Sequence, residues 1–269
     1  MESRGGDRVL GLSWLGHSTV VLELDGVRVL TDPLLRPHAG LLRRIAPRPD
    51  PAHWHGPDVV LISHLHHDHA ELRSLRMLPD VPVMSSPTNA AWLRRRGLAS
   101  AAALGEEWTR LAGGSVDVRL VPAVHHHRPM PHRPNDAHGH LVRGPSAALW
   151  VAGDTSLYPE MSSLPVMAGG RIDVAIVPIG GWGPRLSEGH MNPEQAARAC
   201  AISGARWAVP VHWGTLHPPL VARFGKEWLE TPGEHFAEAL RREAPGCEAV
   251  VLEPGERRVI RLEAGGPTG

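Results

Sequence analysis

The chain is built of short apolar runs, each stopped by a polar cluster. Val9–Trp14, Thr19–Leu24 and Val27–Thr31 have strand length and strand spacing, and Asp25-Gly26 between the last two is a two-residue hairpin turn. Asp32-Pro33 ends the third run, because proline cannot donate to a sheet ladder. Further strands are predicted at Asp58–Ser63, Val81–Ser85, Ser115–Val121, Ser146–Ala152, Ile172–Val177 and Trp207–Val211. Helical spacing covers Ala70–Leu78, Asn89–Arg96 (ended by Gly97) and Pro232–Arg242. Asn192 followed by Pro193 marks a helix start that runs to Gly204. Ala249–Leu252 and Arg257–Leu262 read as a closing hairpin across Pro254-Gly255. The connection from Pro33 to Pro57 has no clean period, and a stretch that long is expected to be functional or disordered. Strands alternating with helices, antiparallel at both ends, predict an α/β fold of sheets between helix layers, a single domain over residues 1–269.

Composition narrows the partners. Lys+Arg and Asp+Glu balance at 28 each, so no net charge favours nucleic acid, and an obligate nucleic-acid partner is not expected. Only Cys200 and Cys247 are cysteines, too few for a disulfide framework, and a reducing cytoplasmic setting is the expectation. The N-terminal residues lack an apolar signal core, and no run reaches transmembrane length. The 33–57 connection mixes leucines with Arg36, Arg43 and Arg44. A loop packed on its own leucines is expected there, ahead of a lid or a peripheral membrane contact.

The chemistry concentrates at strand ends. Directly after Val59-Val60-Leu61-Ile62 comes His64-Leu65-His66-His67-Asp68-His69, and two-residue spacing turns His64 and His66 to one face while His67 faces away. Neutral imidazole and carboxylate are the ligands that zinc and similar divalent ions accept. Three other predicted strands end at His125-His126-His127, at Asp154 and at His212. On ligand chemistry any of the three consecutive histidines could serve. Counting one of them gives seven ligands, too many for one tetrahedral ion and suited to two.

The ordered set also resembles a known family. H-x-H-x-D-H after a strand, Thr31-Asp32-Pro33 upstream, then a lone His, Gly153-Asp154-Thr155 and a late His look like the metallo-β-lactamase superfamily. Trp14-Leu15-Gly16-His17-Ser18-Thr19, Val121-Pro122-Ala123-Val124-His125, Pro178–Arg185, His190–Ala196 and His212-Trp213-Gly214-Thr215 resemble one branch of it. That branch holds N-acyl-phosphatidylethanolamine-hydrolysing phospholipase D and ascorbate-6-phosphate lactonase. The resemblance implies an αββα four-layer sandwich and a dinuclear metal site, and it selects His125 among its neighbours. One ion would take His64, His66 and His125, and the other Asp68, His69 and His212, with Asp154 as the bridge. It implies a hydrolase in which two divalent ions, zinc first and manganese or iron as alternatives, polarise the scissile group and supply a bridging hydroxide. Asp68 and Asp154 would carry the catalysis on a small-molecule ester, a phosphodiester ahead of a lactone or other carboxylic ester. A nuclease, or a metal-binding protein without activity, ranks below both.

Four more residues match family positions or lie beside the site. Asp32 reads as an orienting partner for a ligating histidine or as a turn aspartate, with neither favoured. His17 and His190 are candidates to line the pocket, against a turn histidine and a residue before a helix cap, and Arg185 is a candidate partner for a substrate phosphate or a solvated loop arginine. Trp54, Trp182 and Trp213 are candidate apolar walls. The sequence carries no signal for the oligomeric state.

Overall fold

The computed structural model describes residues 8–262 apart from 79, 112–113, 126–132, 182, 184 and 220–226. Among these, two seven-stranded sheets dominate. The first runs Arg257–Arg261, Val9–Gly16, Thr19–Leu24, Val27–Thr31, Val59–Leu61, Val83–Ser85, Ala101–Ala103. The second runs Glu248–Ala249, Trp207–Val211, Val174–Pro178, Ala148–Val151, His138–Arg143, Asp117–Pro122, Thr109–Arg110. Each is antiparallel over four strands and then turns parallel. The change comes between Val27–Thr31 and Val59–Leu61 in the first sheet, and between Ala148–Val151 and Val174–Pro178 in the second.

Buried parallel strands must be apolar on both faces, and these are. Val59 and Leu61 join the core shared by the two sheets, whereas Val60 and Ile62 pack outward with Trp92 and Leu93 of the helix Pro87–Arg95. On the opposite side, Ala196, Ala199 and Cys200 of Pro193–Ser203 and Phe236 and Leu240 of Pro232–Glu243 cover the second sheet. The layers are therefore helix, sheet, sheet, helix, as the resemblance implied. The helix at Asn192 starts as its sequence predicts: the Asn192 side chain accepts from Gln195 N–H at 2.8 Å, Gln195 returns the bond at 3.0 Å, and Gly204 closes the helix at φ 64°.

Three expectations are corrected. Ala70–Leu78 forms only the single turn Leu72–Leu75, because the Glu71 carboxylate caps Arg73 and Ser74 N–H and leaves 66–70 free to turn around the histidines. Glu248–Ala249 and Arg257–Arg261 are not a hairpin. The former pairs parallel to Trp207–Val211 and the latter antiparallel to Val9–Gly16, so Pro254-Gly255 carries the chain from one sheet to the other. The 33–57 connection is not irregular throughout: His38–Ala39 and Leu42–Arg44 form a hairpin whose second strand pairs with Leu216–His217.

Arg44 holds that hairpin in place. Its buried guanidinium donates to the carbonyls of Leu15, Leu34 (3.2 Å) and Pro47 (3.0 Å), and burial lowers its pKa to about 10, which leaves it charged. Replacing it would leave the carbonyls of buried Leu15 and Leu34 without this donor. Arg44→Met is expected to cost about 2–4 kcal/mol in chemical denaturation. A wild-type midpoint would show that the carbonyls find other donors.

Candidate metal centre

The site lies where strands of both sheets end, the edge at which α/β sheets usually place ligands. Val59–Leu61 leads into His64–His69, Asp117–Pro122 into His125, Ala148–Val151 into Asp154 and Trp207–Val211 into His212. Two groups of side chains result. In one, His66 Nδ1 lies 2.9 Å from His64 Nε2 and 3.1 Å from His125 Nε2, with Asp154 Oδ2 3.8 Å from His64 Nε2. In the other, Asp154 Oδ2 is 3.2 Å from both His69 Nε2 and His212 Nε2, and Asp68 Oδ2 is 3.9 and 3.7 Å from the same two nitrogens. Asp154 faces both groups. The seven side chains expected to ligate are thus brought together, buried except for the half-buried His66.

The ring orientations are enforced from behind. Asp32 accepts from His69 Nδ1–H at 2.9 Å and from Ser63 N–H and Oγ–H at 2.8 and 2.6 Å. Ser63 Oγ, with its own proton given to Asp32, accepts from His64 Nδ1–H at 3.0 Å. His125 and His212 donate Nδ1–H to the carbonyls of Gly189 (2.9 Å) and Gly180 (3.0 Å). Carbonyls and carboxylates only accept, so His69, His125 and His212 carry a proton on Nδ1 and aim Nε2 into the cleft, as His64 does with Ser63 Oγ behind it. Asp32 is therefore an orienting partner.

These atoms fit divalent cations. His69 Nε2, His212 Nε2 and Asp154 Oδ1 are buried without a hydrogen-bond partner. The 2.9–3.2 Å separations come close to the roughly 3.3 Å that tetrahedral bonds of about 2.0–2.1 Å impose between ligand atoms.

His17 and His190 also reach the cluster. His17 Nε2–H donates to Asp68 Oδ2 at 2.9 Å, and His190 Nε2 is 3.2 Å from Asp154 Oδ2. Among the described residues five non-glycines have positive φ, and His17 (53°), Asp32 (38°) and His212 (64°) are three of them. Such strain gathers where the site dictates the backbone. Arg185 lies exposed on its loop and joins neither group. Trp54 is buried under the first sheet and Trp213 stacks on Trp14 at 5.3 Å, so both belong to the core and not to a pocket wall. His126, His127 and Trp182 lie outside the described residues. The sequence reading missed Ser63 and the two glycine carbonyls. A hydroxyl ending an apolar strand was a readable signal; a carbonyl direction has none.

A profile described as a beta-lactamase superfamily domain matches residues 27–213. The chain belongs to the metallo-β-lactamase superfamily. It is 28% identical over 250 residues to a metal-dependent hydrolase of Methanopyrus kandleri, covering 91% of this chain and 97% of that one. It is 26% identical over 229 residues to N-acyl-phosphatidylethanolamine-hydrolysing phospholipase D 1 of Caenorhabditis elegans, at 76% and 63% coverage. An uncharacterised Mycobacterium tuberculosis protein is 32% identical over 227 residues, 79% of this chain, which spans 61% of that relative's length. Among solved structures, the metallo hydrolase Igni18 of Ignicoccus hospitalis superposes with a TM-score of 0.73 at 22% identity, over 95% of this chain and all of that one. Its buried His/Asp cluster is of metal-ligand type. No helix among the described residues is long and apolar enough to cross a membrane.

Electrostatics show what the cluster lacks without metal. Burial drives His17 to about 3, His66 to about 4, His64 well below the imidazole range and His125 downward. Burial raises the Asp68 and Asp154 carboxyls, but the surrounding histidines (His69 first for Asp68, His212 first for Asp154) outweigh it and hold both well below the usual range. Burial also lowers His69 and His212, yet Asp154 outweighs it, lifting His69 far up and His212 to about 9. Protonation of His69 and His212 is thus favoured by the carboxylates beside them.

Two outcomes follow for the purified protein. Stability from the raised pair is complete below pH 6.5 and is lost as pH climbs through about 9, whereas the depressed histidines cost stability as pH falls below 6.5. Metal-free protein should therefore melt highest near pH 6.5, and saturating divalent metal should abolish the alkaline decline. A flat profile from pH 6 to 9 without metal would contradict the assignment of those protons. Separately, Asp32→Asn, which keeps the shape and removes the charge, should weaken metal binding about 10–100-fold in chelator competition, with the circular dichroism spectrum unchanged.

Proposed function

We propose that the chain hydrolyses phosphodiester bonds with two divalent ions, zinc in the first instance. The supporting observation is the convergence of four Nε2-presenting imidazoles, His66, Asp68 and Asp154 into two groups that share Asp154. On this reading His64, His66 and His125 would hold one ion and Asp68, His69 and His212 the other, with Asp154 available to both. When bound, the ions supply Lewis-acid polarisation of the scissile group and a water nucleophile deprotonated near neutral pH.

The chain's own residues do the rest. Asp32 and Ser63 keep the His64 and His69 rings from rotating, and His17 fixes the Asp68 carboxylate through its Nε2–H. His190 donates Nδ1–H to Ser187 O at 3.1 Å, which aims Nε2 at the cleft beside Asp154. As an imidazolium, with Nδ1–H held by Ser187 O, it is placed to give its Nε2 proton to the departing oxygen. Serine or cysteine nucleophiles have no part in this scheme. The phosphodiester preference draws on the name of the nematode relative, and a zero net charge argues against polynucleotide substrates. A cytoplasmic setting belongs to the proposal and is supported by the free, buried Cys200 and Cys247.

Fully metallated protein should cleave bis(p-nitrophenyl) phosphate faster than any member of a lactone panel. Cleavage of lactones alone would move the assignment to a carboxylic-ester hydrolase, and activity on neither would defeat both. Elemental analysis should find close to two ions per chain, with His66→Ala and Asp154→Ala each reducing metal and rate. His190→Gln should keep both ions and lose about 10²–10⁴-fold in kcat, the usual contribution of a general acid.

A further inference from the structure

One histidine departs from the pattern. His64, His69, His125 and His212 each place an Nδ1 proton behind them, on Ser63 Oγ, the Asp32 carboxylate and the Gly189 and Gly180 carbonyls. His66 faces the cluster with Nδ1, and its outer nitrogen, Nε2, meets the side-chain amide of Asn135 at 3.3 Å. Asn135 is held firmly. Arg133, buried and stacked over Trp92, donates to the carbonyls of Leu65 (2.7 Å) and Ala70 (3.2 Å). Asp136 exchanges two backbone bonds with the Asn89 side chain, at 2.7 and 3.2 Å. Between them, Asn135 Oδ1 accepts Leu65 N–H at 2.6 Å, which turns the amide Nδ2 toward His66.

We infer that Asn135 is the positioning residue for His66, its carboxamide deciding which ring nitrogen carries the proton and so whether Nδ1 is free for a divalent cation. This rests on the proposal that His66 is a ligand.

An amide N–H pointing at Nε2 requires a lone pair there, and the ring proton then sits on Nδ1. In that tautomer Nδ1–H has His64 Nε2 at 2.9 Å and His125 Nε2 at 3.1 Å, so one proton closes the metal-free cluster. A cation at Nδ1 requires the opposite tautomer, with Nε2–H donating outward. Within Asn135 the amide oxygen alone can receive that proton, and Leu65 N–H already uses it. A single oxygen must then serve two donors. A carboxylate at 135 would offer one oxygen to each.

The test compares Asn135→Asp and Asn135→Leu with wild type by chelator competition with Zn²⁺ in 0.5 M salt, which screens the added charge, and by the visible spectrum of the Co²⁺-loaded proteins. Asn135→Asp keeps an acceptor for Leu65 and should bind the more weakly held ion about tenfold more tightly. Asn135→Leu should bind it about tenfold more weakly, with an altered Co²⁺ spectrum. Equal affinity in all three proteins, or weaker binding by both variants, overturns the inference. Full metal content in His66→Ala would instead remove the premise that His66 is a ligand. If Asn135→Leu fails to fold, the sign of the change in Asn135→Asp decides alone: tighter binding supports the inference and unchanged or weaker binding overturns it.

Discussion

The interaction on which the structure depends is the pairing of buried negative charge with imidazole between two sheets. Asp32, Asp68 and Asp154 are all nearly inaccessible, and an isolated carboxylate in such surroundings would take up a proton rather than stay ionised. Here Asp68 and Asp154 stay ionised because His69 and His212 lend them charge. Asp32 is satisfied by three donors from Ser63 and His69. One carboxylate thereby orients a histidine from each group, directly in His69 and through Ser63 in His64. The two groups are mechanically joined behind the cleft as well as across it.

The backbone is bent to serve this arrangement. His17, Asp32 and His212 occupy left-handed conformations that ordinary residues avoid, at a cost of about 1–3 kcal/mol each. His212 N–H donates to the carbonyl of His17 at 3.0 Å, while His17 N–H donates to Thr215 Oγ1 at 2.8 Å, so two of the strained turns brace one another. The broad core between the sheets supplies the stability against which this strain is held. The same core takes up Trp213, while the outer cluster behind the first sheet takes up Trp54.

Much of this was legible in the residues. Strand ends could be read because valine, leucine and isoleucine runs stop abruptly at His64, Asp154 and His212, and ligand chemistry then singled out those positions. The cap at Asn192 was equally plain, since its partners are three residues away. What escaped was decided by distant pairing. Leu42–Arg44 becomes a strand only because Leu216–His217 lies beside it, and Ala249 belongs to a different sheet from Val259 because each finds a better partner than the other. Gly180 and Gly189 hold two of the rings through carbonyls, groups that every residue carries and no sequence marks.

The proposed ligands are divided between the layers: His64, His66, Asp68 and His69 follow a strand of the first sheet, and His125, Asp154 and His212 follow strands of the second. Each of the two groups draws side chains from both sheets. An ion held by residues of both would pin the two rims together and resist their separation. Its exchange rate would then serve as a clock for the opening of the sandwich, coupling metal supply to the mechanical integrity of the whole fold.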